Sequence, residues 1–317
     1  MIRNYLPSDF DALCTLWNTA GQAQGYAPLS PEQLHDLLTG HPNFNASYAF
    51  VLEEDGIKGF LCGCLVDGRP EPKGYLTCLI LNESCLCEST VRQMTEILEK
   101  ALQEAGCRRC SASYFNPIRL PWVIPGTPGH QHNNCPGVAE DLPLHRLLEN
   151  CGYQVIVQEC AMYLDLSRFE MPDWVEEKAA KMAEKHYTVD WYQEGKHQGL
   201  DEMVHSMNNS MWDAEIPVAA RQINMLVGLY HDQVAGFTGP VYPEPTGRGY
   251  FAGIAVAAAH EKQGLGTLLF YRLCQAEKEA GSQYMSLFTG TDNHARRIYT
   301  RAGFEARRIF SLLQKEL

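Results

Sequence analysis

The chain has 317 residues, a length that accommodates two domains of ordinary size. Its composition, 45% apolar and 20% charged, is typical of a globular protein, and no apolar run approaches the roughly 18 residues of a membrane span. The formal net charge of −12 argues against a nucleic-acid partner, because phosphates bind a basic face; it suits a cationic small molecule, or solubility alone.

The N-terminal half opens with a strand and a helix predicted near residues 2–18. It lacks the apolar core of a signal peptide, so we expect a cytoplasmic protein without a membrane partner. A second, amphipathic helix precedes Ala105-Gly106. Its apolar side chains recur at spacings of three and four: Val91, Met94, Ile97, Leu98, Ala101 and Leu102.

Cysteine is concentrated in this half, where eleven of the twelve residues precede position 161. Cys107 and Cys110 form a Cys-x-x-Cys motif, but a structural zinc site usually needs two such pairs. His130, His132 and Cys135 form a looser set of metal-ligand types. We expect reduced, mostly buried thiols and no metal, which elemental analysis would test.

A segment at about 117–141 is rich in Pro and Gly and contains Trp122. This composition predicts an ordered, irregular loop. Long loops in compact domains are often functional, so one interpretation is a lid or wall of a substrate pocket. The alternative is a packed surface loop or a contact between domains, and the sequence leaves both open.

Residues 167–186 predict a linker. Asp173 and Glu176 form a capping pair for a charged helix that extends from Trp174 to Lys185. We expect this helix to join two domains.

Residues 250–266 are the most informative stretch, a strand that enters a turn with Gly264 and Gly266. The helix that begins at once ends at Gly281 and has an apolar stripe: Leu265, Leu268, Leu269, Leu273 and Ala276. Glycine has no Cβ, so a ligand can approach the backbone closely. The N–H groups of Leu265, Gly266 and Thr267 lack helical partners, and the turn therefore predicts an anion site.

Another strand is predicted at 283–290, followed by a short helix that contains Tyr299 and ends at Gly303-Phe304. The order of strand, glycine turn, helix, strand and short helix resembles the GCN5-related N-acetyltransferase (GNAT) superfamily. In that family a turn of the form Arg/Gln-x-x-Gly-x-Gly/Ala cradles the pyrophosphate of acyl-coenzyme A, and a late Tyr often protonates the departing thiolate. The resemblance implies that Gly264 and Gly266 are the small positions of the turn and that Tyr299 is the catalytic acid.

The resemblance also implies acetyl-CoA as co-substrate, without a metal. The residues it implies for binding are Ile254, Ala255, Val256, Lys262, Gln263, Gly264, Leu265, Gly266, Thr267, Asn293 and Arg296. Backbone N–H groups near Val256 would polarise the thioester carbonyl. Two positions depart from the family pattern: Glu261 stands where Arg or Gln is usual, and Asp292 where Asn is usual. Lys262, Gln263 or a neighbouring Arg would stand in for Glu261.

The two halves of the chain share an internal repeat. Gly74-Tyr75 parallels Gly249-Tyr250 at an offset of 175 residues, and Gly152-Tyr153 parallels Gly303-Phe304 at an offset of 151. The change of offset locates an insertion of about 24 residues at the 117–141 loop.

In this register Ser89 and Val91 stand for the two glycines of the turn, and Leu148 stands for Tyr299. The first copy has therefore lost both the glycines and the hydroxyl, and we expect the second copy to be the catalyst. The predicted fold is α/β of the α+β kind: two tandem GNAT domains, each a central mixed, mostly antiparallel sheet flanked by helices. The predicted boundaries are a degenerate domain at 1–166, the linker helix at 167–186 and a catalytic domain at 187–317.

The expected activity is N-acyl transfer, with an acetyl group moving from acetyl-CoA to a small-molecule amine by direct attack. The sequence hardly marks a general base; Glu215, Asp213, His205 and Glu244 are candidates by type only. One alternative is a non-catalytic acyl-CoA sensor or binding module. Another is acyl transfer to a hydroxyl or thiol acceptor. Nothing in the sequence indicates an oligomeric state.

Overall fold

The computed structural model describes residues 1–68, 71–112 and 116–317 of a mixed α/β protein that forms two compact units. The first unit comprises Met1–Ala161 and Arg307–Leu317, and the second comprises Met162–Ala306. Within each unit, mostly antiparallel strands with one parallel pair are flanked by helices, so the predicted fold class is confirmed.

Strands and helices are mixed in the chain up to residue 165. In chain order they are β1 (Ile2–Asn4), α1 (Phe10–Leu16), α2 (Pro31–Leu34), β2 (Ala49–Glu53), β3 (Ile57–Val66), β4 (Lys73–Leu81), α3 (Glu88–Glu104), β5 (Arg109–Ala112), β6 (Trp122–Val123), β7 (Gln131–His132), β8 (Val138–Ala139), α4 (Pro143–Asn150) and β9 (Gln154–Asp165). A π-helical turn extends α1 and another extends α2, at Trp17–Gly21 and His35–Thr39.

The rest of the chain begins with the predicted linker helix. Its elements are α5 (Asp173–Ala183), β10 (Tyr187–Trp191), α6 (Leu200–His205), α7 (Ser210–Gln222), β11 (Leu226–Tyr230), β12 (Gln233–Gly239), β13 (Arg248–Gly249), β14 (Gly253–Val256), α8 (Leu265–Glu279), β15 (Tyr284–Gly290), α9 (Arg296–Arg301) and β16 (Glu305–Glu316).

The first unit is built on strands in the order β1-β2-β3-β4-β5-β16. Neighbours are antiparallel except β4 and β5, which run parallel with Gly74 opposite Cys110. The predicted stripe on α3 is buried in the core through Val91, Met94 and Leu98. The last strand completes this sheet, since Leu313 pairs with Ala112.

The 117–141 segment is ordered and packs within the first unit. It contains the β6–β7 hairpin, and Trp122 is buried with its indole N–H donating to the Asn134 carbonyl at 2.9 Å. Ile118 and Leu120 are buried in the hydrophobic cluster that contains Trp17 and Phe60. The interpretation as a lid or wall of a substrate pocket stays a prediction.

The second unit has an antiparallel sheet of order β10-β11-β12-β14 and a parallel pair formed by β13 and β15. The stretch Arg248–Val256 contributes to both. Gly249 pairs with Met285 of β15, whereas Gly253–Val256 pairs with β12. The stretch therefore leaves β15 after Gly249. One edge of β14 pairs with β12, and its opposite edge has no strand partner among the described residues.

Helix α8 packs on this sheet as its sequence predicts. Leu265, Leu268, Leu269 and Leu273 are almost fully buried, and Gly281 follows with φ of 95°. Rotating the helix by half a turn about its axis would expose these leucines, so the stripe fixes how the helix faces β11, β12 and β14.

Several element bounds in the two halves differ by a constant offset. Strand β4 spans 73–81 and the stretch containing β13 and β14 spans 248–256, while α3 ends at Glu104 and α8 at Glu279, all offset by 175. Strands β9 and β16 span 154–165 and 305–316, an offset of 151. Both offsets equal those found between the repeated sequence motifs.

The bounds of the two compact units differ from the predicted domain boundaries. The long stretch of the first unit ends at Ala161 instead of residue 166, and residues 307–317 group with this unit, whereas the sequence assigned them to the domain at 187–317. Helix α5 lies within the predicted linker and belongs to the second unit. No described helix is long and apolar enough to cross a bilayer.

All twelve cysteine thiols are free. Cys107 and Cys110 are both buried, and burial raises the pKa of the Cys110 thiol to about 12. It therefore stays protonated at neutral pH. Within residues 1–68, 71–112 and 116–317, no three His, Cys, Asp or Glu side chains are grouped to hold a metal ion.

Glu277 is a fully buried carboxyl on α8, directly beneath Gly249. It accepts hydrogen bonds from the Ser282 hydroxyl at 2.6 Å and the Tyr242 N–H at 3.3 Å. Burial nevertheless dominates and raises its pKa from 4.5 to about 7. A raised carboxyl pKa stabilises the fold below pH 4.5, and that contribution is lost as the pH rises through 7.

Glu277→Gln should remove this pH dependence. Between pH 5 and pH 8, the free energy of unfolding of the wild type should fall by about 2–3 kcal/mol relative to the variant. Urea unfolding of both proteins at the two pH values measures this difference. Glu279→Gln, on the exposed side of the same helix, is the control and should leave the pH profile unchanged. Parallel pH profiles for the wild type and Glu277→Gln would contradict the burial argument.

Candidate active site

The turn between β14 and α8 contains two residues with positive φ, Lys262 at 60° and Gly264 at 95°. Gly264 is the N-cap residue of α8. A residue with a Cβ pays about 1–2 kcal/mol for this left-handed conformation, whereas glycine adopts it readily. The chain can therefore pass from the turn straight into the helix.

The first turn of α8 leaves backbone donors free. The first helical hydrogen bond runs from the Leu268 N–H to the Gly264 carbonyl, at 3.2 Å. In the described part of the chain, the N–H groups of Leu265, Gly266 and Thr267 have no backbone acceptor. Three free donors at the positive end of a 15-residue helix favour a bound anion.

A cleft of about 480 Å³ lies against this turn. Its lining comes from β14, from the turn with the start of α8, and from the segment leading into α9. The lining residues are Ile254, Ala255, Val256, His260, Glu261, Lys262, Gly264, Leu265, Gly266, Thr267, His294, Ala295 and Ile298. The cleft thus joins the free edge of β14 to the free N–H groups of α8.

Most of the residues that the sequence predicts for binding lie together in this cleft: Ile254, Ala255, Val256, Lys262, Gly264, Leu265, Gly266 and Thr267. Gln263 is exposed and does not line it. Asn293 and Arg296 line an adjacent cleft of about 500 Å³, which shares His294 with the first. The role of each of these residues in acetyl-CoA binding stays a prediction.

Asn293 and Arg296 also have local roles. The Asn293 side-chain oxygen accepts the Ala295 N–H at 2.9 Å, and the Arg296 guanidinium donates to the Thr291 carbonyl at 2.6 Å. Both contacts order the segment between β15 and α9, and this segment supplies one wall of the cleft.

Glu261, which the sequence places in the turn, lines the cleft. Sequence reasoning missed four other lining residues: His260, His294, Ala295 and Ile298. Proximity to the glycine turn was a signal for the first of them. His260 is held toward β10, because its Nδ1 lies 3.0 Å from the Tyr187 hydroxyl. Six residues of α9 are too few for a periodicity that would show which side faces the cleft.

Tyr299, the predicted acid, is 5% exposed, and its ring packs against Phe270 and Phe304 at centroid distances of 4.7 and 6.2 Å. Burial raises its pKa to about 12, so the hydroxyl keeps its proton at neutral pH. The preceding residue, Ile298, lines the cleft, whereas Tyr299 is not among the lining residues. The catalytic role of Tyr299 stays a prediction.

The four candidate bases lie in different surroundings. Glu244 accepts two hydrogen bonds from the buried guanidinium of Arg248, at 2.6 and 3.0 Å. His205 and Asp213 lie 3.5 Å apart. Glu215 is exposed and accepts the Tyr250 hydroxyl at 2.6 Å, which places it beside the strand that leads into β14. Burial raises the pKa of the Tyr242 hydroxyl, and the charges of Glu244 and Glu215 raise it further, so these two candidates lie near the same tyrosine.

Strand β14, the glycine turn and α8 define a class of site in which a helix N-terminus offers free amides to a phosphate beside an open strand edge. The sequence of this part of the chain agrees with that class. Residues 182–304 match the model of the Acetyltransferase (GNAT) family, and the match includes the cleft, α8 and Tyr299. No curated protein matches the chain by sequence.

Solved structures of GNAT proteins share the fold of the chain. The GCN5-related glucosamine N-acetyltransferase region of a fungal multi-domain GH3 β-N-acetylglucosaminidase is 14% identical with a TM-score of 0.72; the alignment covers 99% of this chain and 38% of that protein. The GCN5-related N-acetyltransferase from Sphaerobacter thermophilus is 16% identical with a TM-score of 0.61, at 100% and 95% coverage. A tandem GNAT protein from the clavulanic acid biosynthesis pathway is 14% identical with a TM-score of 0.60, and the alignment covers 100% of this chain and 98% of that protein.

Proposed function

We propose that the chain is an acyl-CoA-dependent N-acyltransferase that moves an acetyl group from acetyl-CoA to a small-molecule amine. The active site is the cleft of the second unit. The observation that carries the proposal is the left-handed Gly264, followed by three free N–H groups, in a segment that matches the GNAT family model. The left-handed φ of Gly264 by itself explains why this turn requires glycine.

The residues of the cleft fit the donor substrate. The N–H groups of Leu265, Gly266 and Thr267 donate to its pyrophosphate. A Cβ on Gly264 would meet the side chain of Lys178, and one on Gly266 would reach 3.6 Å from Val256. The free edge of β14 then offers backbone groups to the acyl arm and polarises the thioester carbonyl.

The proposed transfer is a direct displacement. The amine nitrogen bonds to the carbonyl carbon, the carbon–sulfur bond breaks, and the Tyr299 hydroxyl gives its proton to the departing sulfur. The proton that the amine loses passes to water or to a carboxylate on the acceptor side, of which Glu215 is the exposed example. The proposal for Tyr299 rests on its place in the segment that matches the GNAT family model, directly after Ile298, which lines the cleft.

We also propose that the chain is a tandem protein whose first copy has lost its donor site. The constant offsets of the element bounds support this interpretation. Val91 and Leu148, which stand for Gly266 and Tyr299, are fully buried in the first core. Cys87, the N-cap of α3, has an extended φ of −140° instead of the left-handed φ at the start of α8. The domains at 1–166 and 187–317 and the linker at 167–186 are the boundaries we propose.

The test uses the full chain, because residues 307–317 complete the first unit. Calorimetric titration with acetyl-CoA comes first. A panel of amines then follows, with release of free thiol as the readout; it includes glucosamine because one structural match is described as a glucosamine N-acetyltransferase region. We expect binding, and thiol release with at least one amine.

The other outcomes separate the alternatives. Binding without turnover across the panel would favour an acyl-CoA sensor, an interpretation that the Glu261 carboxylate in the cleft also supports. Turnover only with alcohols or thiols would show that the acceptor is a hydroxyl or thiol compound instead of an amine. No binding of acetyl-CoA would overturn the proposed function and the sensor together.

A further inference from the structure

Helix α5 places a cation directly over the glycine turn. A Cβ built on Gly264 would overlap the ammonium group of Lys178, with the Lys178 Cε at 2.5 Å. Met182, one helical turn farther on, also faces this point, with its sulfur 3.9 Å from the same Cβ position. A residue 86 positions away in the sequence therefore contacts the turn that begins α8.

Contacts between α5 and α8 hold this lysine in place. Glu176 and Arg272 form a two-pronged ion pair with both hydrogen bonds at 2.8 Å. Trp174 packs edge-on against Tyr271, with ring centroids 5.1 Å apart. Val175 is fully buried on the same helix. The stem of Lys178 therefore starts from a fixed backbone, and little ordering is needed to use it.

The Lys178 ammonium has no hydrogen bond or ion pair with any residue that the structure describes. It is half-buried, and it lies beside the positive end of α8 with its free N–H groups. The ammonium and the N-terminus of α8 are both positive, so they repel each other in the free protein. An anion between them would turn that repulsion into two favourable interactions.

Two charged residues lie in the turn itself. Glu261 and the exposed Lys262, which has a left-handed φ, both line the cleft. Lys178 is not among the lining residues and contacts Gly264 from α5. The Arg296 guanidinium already donates to the Thr291 carbonyl. Lys178 reaches the turn from a different element, so the residues of the turn alone do not reveal it.

We propose that Lys178 of the linker helix binds the pyrophosphate of the acyl-CoA donor, with its ammonium donating to a phosphate oxygen beside the free N–H groups of α8. The inference rests on the proposed function of the cleft. It makes α5 part of the donor site as well as the linker between domains.

The test compares donor binding by full-length variants in calorimetry. Lys178→Ala and Lys178→Met remove the charge, and Lys178→Met keeps the apolar stem beside Met182. Lys181→Ala is the matched control, since Lys181 is exposed on the same helix. We expect acetyl-CoA affinity to fall at least tenfold in both Lys178 variants, to stay within twofold in Lys181→Ala, and to recover largely in Lys178→Arg.

Two further readouts separate phosphate binding from structural support. S-acetyl-pantetheine lacks the pyrophosphate, so its weaker binding should not change in the Lys178 variants. Thermal unfolding of the ligand-free variants should occur at or above the wild-type temperature, because a repulsion has been removed. Equal acetyl-CoA affinity in the wild type and both charge-removing variants would overturn the inference alone, as would equal losses for S-acetyl-pantetheine. A wild type that does not bind acetyl-CoA would overturn the proposed function, and this inference with it.

Discussion

Gly264→Ala should weaken acetyl-CoA binding about a hundredfold while the protein remains folded. The new Cβ must adopt φ of 95° and displace the Lys178 ammonium. The left-handed conformation is unfavourable by about 1–2 kcal/mol for a residue with a Cβ, so the turn shifts and misaligns N–H groups whose bonds to a charged ligand are worth about 1.5–3 kcal/mol each. A loss of about 3 kcal/mol from these bonds corresponds to a roughly hundredfold change in affinity.

The opposite end of the same helix offers a matched control. Gly281 has the same φ of 95°, but a Cβ there would have no neighbour within 4 Å. Gly281→Ala should therefore lose similar stability from backbone strain and retain full acetyl-CoA affinity. Gly266→Ala should be mild, because its Cβ would make an ordinary 3.6 Å contact with Val256. Equal affinities for the Gly264 and Gly281 variants would show that the turn does not bind the donor.

Tyr299→Phe should lower kcat about a hundredfold and leave the acetyl-CoA Kd unchanged. Removal of a positioned general acid typically lowers the rate by about 10²–10⁴. The Phe ring can keep the contacts with Phe270 and Phe304, so the cleft should keep its shape. Steady-state kinetics with the amine identified in the panel gives kcat, and calorimetry gives Kd.

The pH profile adds a second check on the same residue. Because burial raises the Tyr299 pKa to about 12, the wild-type rate should show no loss from this group between pH 6 and 9. Tyr271→Phe is the control, since it removes another buried hydroxyl from the same unit. An unchanged kcat in Tyr299→Phe would mean that Tyr299 acts only in core packing.

Local patterns in the sequence predict the centre of the site well. The apolar spacing from Leu265 to Ala276 predicts which face of α8 is buried, and the glycines predict where α8 begins and ends. These features depend on the backbone conformation of a few neighbouring residues, and side-chain spacing reports that directly. The expected grouping of Ile254–Val256 with Gly264–Thr267 follows from the short strand–turn–helix connection.

The surroundings of the site depend on contacts between distant segments, which spacing does not report. Lys178 reaches the turn because α5 packs on α8, and nothing near either residue in the sequence indicates that contact. The divergence of β14 from β15 after Gly249 is set by strand pairing. The burial of Tyr299 likewise depends on its packing against Phe270 and Phe304. The residue type of Tyr299 suggested a chemical role, but it did not indicate how far the hydroxyl lies from the cleft.

The place of β16 has a consequence for how the protein is made. Residues 1–161 leave the ribosome before residues 307–317, which supply the partner of β5. Until those residues emerge, the edge of β5 that later pairs with Leu313 and Gln314 lacks its native strand. An unpaired edge is a template for association with other chains. The first unit is therefore completed only after the second unit has been synthesised, and its open edge is exposed during that interval.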